Sequence, residues 1–358
     1  MHIIVFILIL GLIVLIHELG HFLAAKKNGI YVEEFGFGFP PKLWSKKIGE
    51  TTYSINLFPI GGFVKLYGEE LNELSGKKIP SSLLKRSFSY KKPWQKALVI
   101  IAGVIGNFLL GWILISYLFT QGVPVPTNKI IIDKISISSP AAQAGIKEND
   151  EVVKISLADK TTNLKSAQEL IDFSHQYAGK EITLYLNRNG QEVKTQLIPR
   201  VKPPAGEGPL GVAITSYQEK KYPWYQAPFY GLQESAKITY QIITELGKTL
   251  KQVVILKKPA VDVTGPIGIA SYTYQVIKFG NNAVLEFIAL ISLNLAVMNI
   301  LPFPALDGGR LVFIIYEWVT KKRVNEKIER NLNLIGFALL ISLAVIISIH
   351  DIIKLVKP

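Results

Sequence analysis

Residues 3–25 read IIVFILILGLIVLIHELGHFLAA, an apolar run interrupted only by His17-Glu18 and His21 near its end. As a helix, a run of this length crosses a hydrocarbon core of about 30 Å, which takes around 20 residues. Three more such runs follow, at 97–119, 283–303 and 332–356. The second and fourth are almost purely apolar, whereas the third carries Glu286, Asn294 and Asn299. Polar groups inside a span are costly, so those in the first and third runs are candidates for a functional site. Of 358 residues, 49% are hydrophobic and 19% charged, which with these runs excludes a small stapled domain and predicts a polytopic α-helical membrane protein of about four transmembrane helices. The formal charge of +13 is concentrated beside the runs, where anionic lipid rather than nucleic acid is the counter-charge. With no cysteine, a metal site must use His, Asp, Glu or water.

Charge placement sets an orientation. No basic residue precedes the first run and Lys26-Lys27 follow it, which argues against a secretory signal peptide and places the N-terminus outside. Lys26 to Lys96 holds thirteen Lys/Arg against six Glu, so that segment is expected in the cytoplasm. Arg310, Lys321, Lys322, Arg323, Lys327 and Arg330 put the connection between the third and fourth runs on the same side. Residues 120–282 then face outward.

Four regions follow: 1–120 and 283–358 as membrane regions, 121–201 as an outward domain, and 202–282 as a linker with an amphipathic helix. In the cytoplasmic segment Thr52 to Leu57 alternates, Pro59-Ile60-Gly61-Gly62 turns the chain, and Phe63 to Tyr67 continues, which predicts a β-hairpin. The outward segment carries Ile130-Ile131-Ile132, Ser139 to Ile146, Asp150 to Ile155, Ile182 to Leu186 and a turn at Asn189-Gly190, the pattern of a compact α/β module of about 80 residues. Pro203 to Pro209 reads as its end. Beyond it Leu232, Ala236, Ile243, Leu246, Leu250 and Val253 fall near helical spacing among Glu234, Lys237, Lys248 and Lys251, predicting an amphipathic helix on protein or on the membrane surface.

His17-Glu18-Leu19-Gly20-His21 has the HExxH spacing, which on a helix sets two imidazoles one turn apart on one face, as a single Zn²⁺ needs. Glu18 then stands beside the metal without being a ligand. The bland alternative, polar residues satisfied by neighbouring helices, leaves two imidazoles and a carboxylate in an apolar turn with no cation to offset them. Catalytic zinc usually takes three protein ligands, and the best third candidate is Asp307, with His350 and Glu286 as weaker ones. Asp307 follows Pro302 and Pro304, which stop the third run and leave non-helical backbone before Gly308-Gly309. Its alternative role is as a cap of the helix from Leu311 to Val319. The chemistry such a set supports is metal-assisted peptide hydrolysis with Glu18 as the base. Asn294 and Asn299 fit either interhelical hydrogen bonding or a hold on the substrate backbone or oxyanion. Gly103, Gly106 and Asn107 read as a small-residue packing seam.

These residues together resemble the bacterial site-2 proteases, the RseP/RasP group of intramembrane zinc metalloproteases. The resemblance runs through Glu34-Phe35-Gly36-Phe37-Gly38 with Pro40, Tyr53-Ser54-Ile55, Pro59 to Lys65, Gly103 to Phe108, Thr264 to Ile269, and the Asn-x-x-Pro-x-Pro-x-Leu-Asp-Gly segment from Asn299 to Gly308. It implies a multi-pass protein of the inner or cytoplasmic membrane that cuts single-pass membrane proteins within or near their transmembrane helix, such as anti-sigma factors or signal-peptide remnants. It implies His17, His21 and Asp307 as zinc ligands and Glu18 as catalytic base. Substrate would be positioned by Asn294 and Asn299 and by a membrane-associated β-hairpin near 53–68, with Tyr53, Ile55, Gly61 and Gly62. The 121–201 module corresponds to a single extracytoplasmic PDZ-like domain, with binding of peptide termini and a steric role both open. Gly-Val-Ile-Gly-Asn at 103–107 departs from the proline common there in the family. Competing readings are a membrane-anchored zinc protease acting on soluble peptides, and a PDZ membrane scaffold with a vestigial metal site.

Overall fold

In the computed structural model of the chain the described residues are 2–69, 80–158, 160–255 and 264–356. The parts of the 1–120 and 202–282 regions at 70–79 and 256–263 lie outside them. Helix α1 (His2–Lys27) leads to two long strands, β1 (Val32–Ile48) and β2 (Thr51–Leu66), then to α2 (Ser81–Leu84) and α3 (Pro93–Gln121). There follow β3 (Val123–Ile135), α4 (Pro140–Gln143), β4 (Glu151–Leu157), β5 (Lys160–Asn163), α5 (Ala167–Gln176), β6 (Ile182–Arg188), β7 (Gln191–Leu197) and β8 (Val212–Lys220). Helices α6 (Ala227–Val254), α7 (Pro266–Lys278), α8 (Asn281–Ile300), α9 (Asp307–Thr320) and α10 (Glu326–Val356) complete the order. The chain divides into two compact units, one of 1–118 with 223–358 and one of Phe119–Tyr222.

In the first unit α1, α3, α8 and α10 are long and apolar enough to cross a membrane. The third ends at Ile300 rather than 303, because Pro302 removes an amide donor and disfavours helix in the residue before it. Helices α1 and α3 cross where both are small. A Cβ on Gly20 would lie 2.2 Å from Ala102 O, and one on Gly106 would lie 2.8 Å from Ile16 O. That crossing realises the expected packing seam. Along α8, Ser292 Oγ donates to Asn107 O at 2.8 Å. Ile9 and Ile13 of α1 meet Ile288 of α8 and Leu110 and Leu114 of α3 in an apolar cluster. Apolar contact between spans competes with equally apolar lipid tails, so this close approach and the interhelical hydrogen bonds carry the association. Helix α6 sits on α3 through small residues, with Trp112 Nε1 donating to Pro228 O at 2.8 Å and Gly231 against Ser116. Its Leu232, Ile243 and Leu250 stay exposed.

The expected pairing of 52–57 with 63–67 does not form, which corrects the hairpin reading. Residues 34–37 of β1 lie between those two segments, so that Phe35 pairs with Val64 on one side and Tyr53 on the other, and Gly36 with Phe63 and Ser54. Residues 42–48 line the outer side of 51–56, with Trp44 opposite Ile55 and Lys46 opposite Tyr53. Each long strand is therefore two ribbons, bent near Pro40-Pro41 and near Pro59. The lateral order is 42–48, 51–56, 32–37 and 62–66. Thr51 Oγ1 donates to Val32 O at 2.9 Å and Asn56 Nδ2 to Gly38 O at 3.0 Å, so the buried polar side chains of the inner ribbons are satisfied by the sheet itself. The turn between strands is tied by Glu50, which accepts from Arg86 at 2.7 and 2.8 Å and from Lys26 at 2.7 Å.

In the second unit the strands run β7-β6-β4-β3-β8, with β5 against β4. Alternation buries Ile182, Leu184 and Leu186 of β6 over Ile130, Ile132, Val152, Ile155 and Leu170. Asp150 is fixed by Arg188, whose Nε and Nη2 each donate at 2.7 Å, and by the Lys147 amide at 2.8 Å. The prolines at 203–209, read as the end of the module, are an excursion within it. Val212–Lys220 returns as β8 and pairs along β3, so the unit runs to Tyr222. The Val-Ala-Ile-Thr-Ser-Tyr stretch at 212–217 is the strand former that the turn residues before it masked.

Candidate metal centre

The metal-type residues converge on one point in the first unit. His17 and His21, one turn apart on α1, set their Nε2 atoms 3.1 Å apart. Asp307, the first residue of α9, brings Oδ2 to 3.0 Å from His17 Nε2 and 3.2 Å from His21 Nε2. Both histidines are buried. His350 and Glu286, the weaker ligand candidates, are exposed and take no part in this cluster. The carboxylate of Asp307 does not cap its helix, since the N-cap is Leu306 and no side chain caps it.

The path into Asp307 explains how broken backbone holds a carboxylate in place. Leu301 leaves α8 extended and Ala305 adopts a φ of +73°. Gly308 and Gly309 then fold so tightly that a Cβ would lie 2.1 Å from Leu301 O and 2.3 Å from Phe303 O. Asn333 of α10 braces the loop by accepting from the Ala305 amide at 3.2 Å.

The donor set fits a cation. His21 Nδ1 donates to Val99 O at 2.8 Å, which leaves a lone pair on Nε2. Asn299 Nδ2, which can only donate, lies 3.2 Å from His17 Nε2, so that nitrogen also presents its lone pair, the one a cation would take in place of Asn299. Asp307 Oδ2 is buried with no hydrogen-bond partner among the described residues. Three lone-pair donors facing one another satisfy nothing among themselves. Their separations of 3.0–3.2 Å are close to the roughly 3.3 Å between ligands of a tetrahedral ion with bonds of about 2 Å.

Gly103 of α3 passes against the histidines, where a Cβ would meet His21 Nε2 at 2.3 Å. Gly62 of β2 passes over Glu18, where a Cβ would lie 3.2 Å from Glu18 Cγ. The other expected substrate contacts are dispersed. Asn294 is exposed, pointing away from Asn299 as five residues of helix dictate. Tyr53 and Ile55 are paired on both sides, and Gly61, with φ +99°, lies under the ring of Phe39. Beside Asp307 opens a cavity of about 500 Å³, whose walls include Glu69, Lys96, Arg310, Phe313 and Glu317. Those charged residues were read from sequence only as orientation charges or not at all, because the partner of each lies far along the chain.

The sequence profile of Peptidase family M50 matches residues 5–343. The chain belongs to this family. A Clostridium acetobutylicum protein with a provisional zinc-metalloprotease name is 36% identical over 98% of this chain and 97% of its own length. The Bacillus subtilis protein named regulator of sigma-W protease RasP is 28% identical over 99% and 98%. Among solved structures, the PDZ domain of an SdrC-like protein from Listeria monocytogenes covers 26% of this chain and 94% of its own, at 18% identity and a TM-score of 0.22. As an M50 peptidase the chain is an intramembrane zinc metalloprotease and a multi-pass membrane protein, which excludes the scaffold reading.

Proposed function

We propose that this M50 peptidase hydrolyses peptide bonds within or near the transmembrane helix of single-pass membrane proteins, with His17, His21 and Asp307 holding zinc and Glu18 as the base. The observation that supports this best is a complete His-His-Asp donor set whose two histidines lie on a helix apolar enough to span a membrane and whose aspartate opens α9. Zinc held by these three residues would supply a Lewis acid for the scissile carbonyl and a water that is acidic near neutral pH. Glu18 takes the proton of the attacking water and delivers it to the leaving amine. Asn299 Nδ2 lies 3.2 Å from His17 Nε2, and with that lone pair given to zinc its amide is released to reach the substrate backbone from the same place. Asn294, exposed on α8, meets substrate only where the substrate lies against that face.

A helical peptide bond is shielded by its own hydrogen bonds and must be unwound before attack. The 62–66 ribbon has no strand on its outer side among the described residues, and Gly62 brings it against Glu18. An unwound segment added to that edge gains main-chain hydrogen bonds next to the base. Tyr53, Ile55 and Gly61 support the sheet that presents the edge. By the distribution of Lys and Arg, the N-terminus and the Phe119–Tyr222 unit lie outside the cytoplasm and the β1–β2 sheet inside it. We read that unit as a single PDZ-like module between membrane regions 1–120 and 283–358. Anti-sigma factors or signal-peptide remnants are the single-pass substrates we expect, the first in keeping with the sigma-W regulation for which the Bacillus subtilis relative is named.

The test is co-expression with candidate single-pass proteins, comparing wild type with Glu18→Gln and mapping the cut by mass spectrometry. A product cut within the membrane segment, made by wild type and lost by a variant that keeps zinc, is the expected result. Cleavage by Glu18→Gln at the wild-type rate refutes the assignment.

A further inference from the structure

Helix α9 packs tightly against residues 301–303 at its first turn but buries little beyond it. Among its described residues only Gly308, Gly309 and Ile314 are buried, while Val312, Ile315, Trp318 and Val319 are exposed. Arg310, Ile314 and Glu317 share one face of it at helical spacing, Ile314 buried, Glu317 partly buried and the Arg310 side chain 43% exposed. Arg310 forms an ion pair with Glu69, the residue three past the end of β2. Glu317 receives Lys96 Nζ at 2.9 Å, and the Lys96 side chain is only 6% exposed. Just beyond the helix, Arg323 Nη2 donates to Ser89 O at 3.2 Å.

The far side of these contacts is a fixed frame. The Phe88 amide donates to Tyr67 O at 2.9 Å, the Ser89 amide to Gly68 O at 3.3 Å and the Tyr67 amide to Tyr31 O at 2.9 Å, so Glu69 stands on a braced turn. Lys96 lies in the first turn of α3, the helix that carries Gly103 past the histidines. Apolar side chains slide against lipid and against one another with little preference, whereas a charged pair on an apolar wall has one favourable register.

We propose that the ion pairs Arg310–Glu69 and Lys96–Glu317 are positioning groups that fix α9 along α3 and the end of β2 and thereby hold Asp307 at the histidines. The inference rests on Asp307 being a zinc ligand. Its test is zinc retained per full-length chain, purified and titrated with a chelator, for wild type, Asp307→Ala, Glu69→Arg, Arg310→Glu, the double swap and Arg310→Lys. Each single reversal is expected to release zinc at about tenfold lower chelator concentration. The double swap recovers most of that loss and Arg310→Lys falls between. Singles that hold zinc like wild type, or a double swap no better than the worse single, overturn the proposal while zinc-poor Asp307→Ala leaves the ligand reading intact. Zinc retained normally by Asp307→Ala overturns the ligand reading instead. Lys96→Glu, Glu317→Lys and their combination give the same cycle at the other pair, so one variant that does not fold leaves the proposal open to refutation.

Discussion

Replacing Gly103 by Ala is the smallest change that should disable this protease. The added methyl group would lie 2.3 Å from His21 Nε2, 2.6 Å from its Cε1 and 2.8 Å from His17 Cε1. Ordinary contact begins near 3.4 Å, so the rings and α3 must separate by about 1 Å, the difference between 3.4 and 2.3 Å. Neither side gives way freely. His21 is bonded through Nδ1 to Val99 O on α3 itself, and Gly20 and Gly106 already place backbone against backbone on either side of the contact. Overpacking of this kind costs about 1–3 kcal/mol of stability. A displacement of about 1 Å at reacting groups costs on the order of 10²-fold in rate. Gly247→Ala in α6 is the matched comparison, since its Cβ meets nothing within 4 Å. There the same methyl should stabilise by about 0.5–1 kcal/mol through lost chain entropy. Cleavage rate, zinc content and melting temperature are measured for both. Gly103→Ala with wild-type zinc and wild-type rate would refute the close passage of α3 over the histidines.

Gly308→Ala should lose zinc and cleavage together, on the order of 10²-fold in rate, because its Cβ would stand 2.1 Å from Leu301 O and backbone cannot step aside; metal analysis beside the cleavage assay checks it. Hydrogen bonds from Arg86 and then Lys26 hold the Glu50 carboxyl down to about 2, against 4.5 for the ordinary group. A depressed carboxylate stabilises above its unfolded value and loses that stabilisation as pH falls, so the contribution fades between pH 4.5 and about 2. Glu50→Gln should flatten that part of a melting-temperature profile. In the Phe119–Tyr222 unit, burial pushes Asp150 up but the Arg188 fork outweighs it, leaving the group below its ordinary 3.8. Arg188→Ala should therefore weaken hydrogen-exchange protection of β4 and β6 at neutral pH, with the difference from wild type closing as pH falls below about 3.8.

What the sequence made legible was whatever is local along the chain. Two histidines four apart on an apolar helix announce their shared face, and Pro302 and Pro304 announce a break before Asp307. The four spans follow from run length alone. Pairing was not legible, because it depends on partners that periodicity does not name. Residues 52–57 and 63–67 both look like strands, and the turn between them invites a hairpin, yet Val32 to Phe37 inserts between them. The cue was present in Gly36, where a Cβ would meet the Phe63 ring at 2.4 Å. Likewise Lys96 and Arg310 count as basic residues near membrane ends, and only coordinates reveal that each answers a carboxylate on another element.

The sheet order also decides where an unwound substrate can be held. A strand can be added only to an edge, and 51–56 and 32–37 are flanked on both sides, which among the described residues leaves 42–48 and 62–66. The 42–48 edge carries Lys42, Lys46 and Lys47, the charged edge that discourages strand addition. The 62–66 edge begins at Gly62, whose missing side chain is what lets β2 approach Glu18. On the function proposed above, a peptide bound there would be stretched by the same contacts that bring its backbone to Glu18, making unwinding and alignment one binding event rather than two. Binding energy realised at that edge is then spent in the geometry of attack, which is why a side chain at Gly62 should lower the turnover rate even where substrate capture survives.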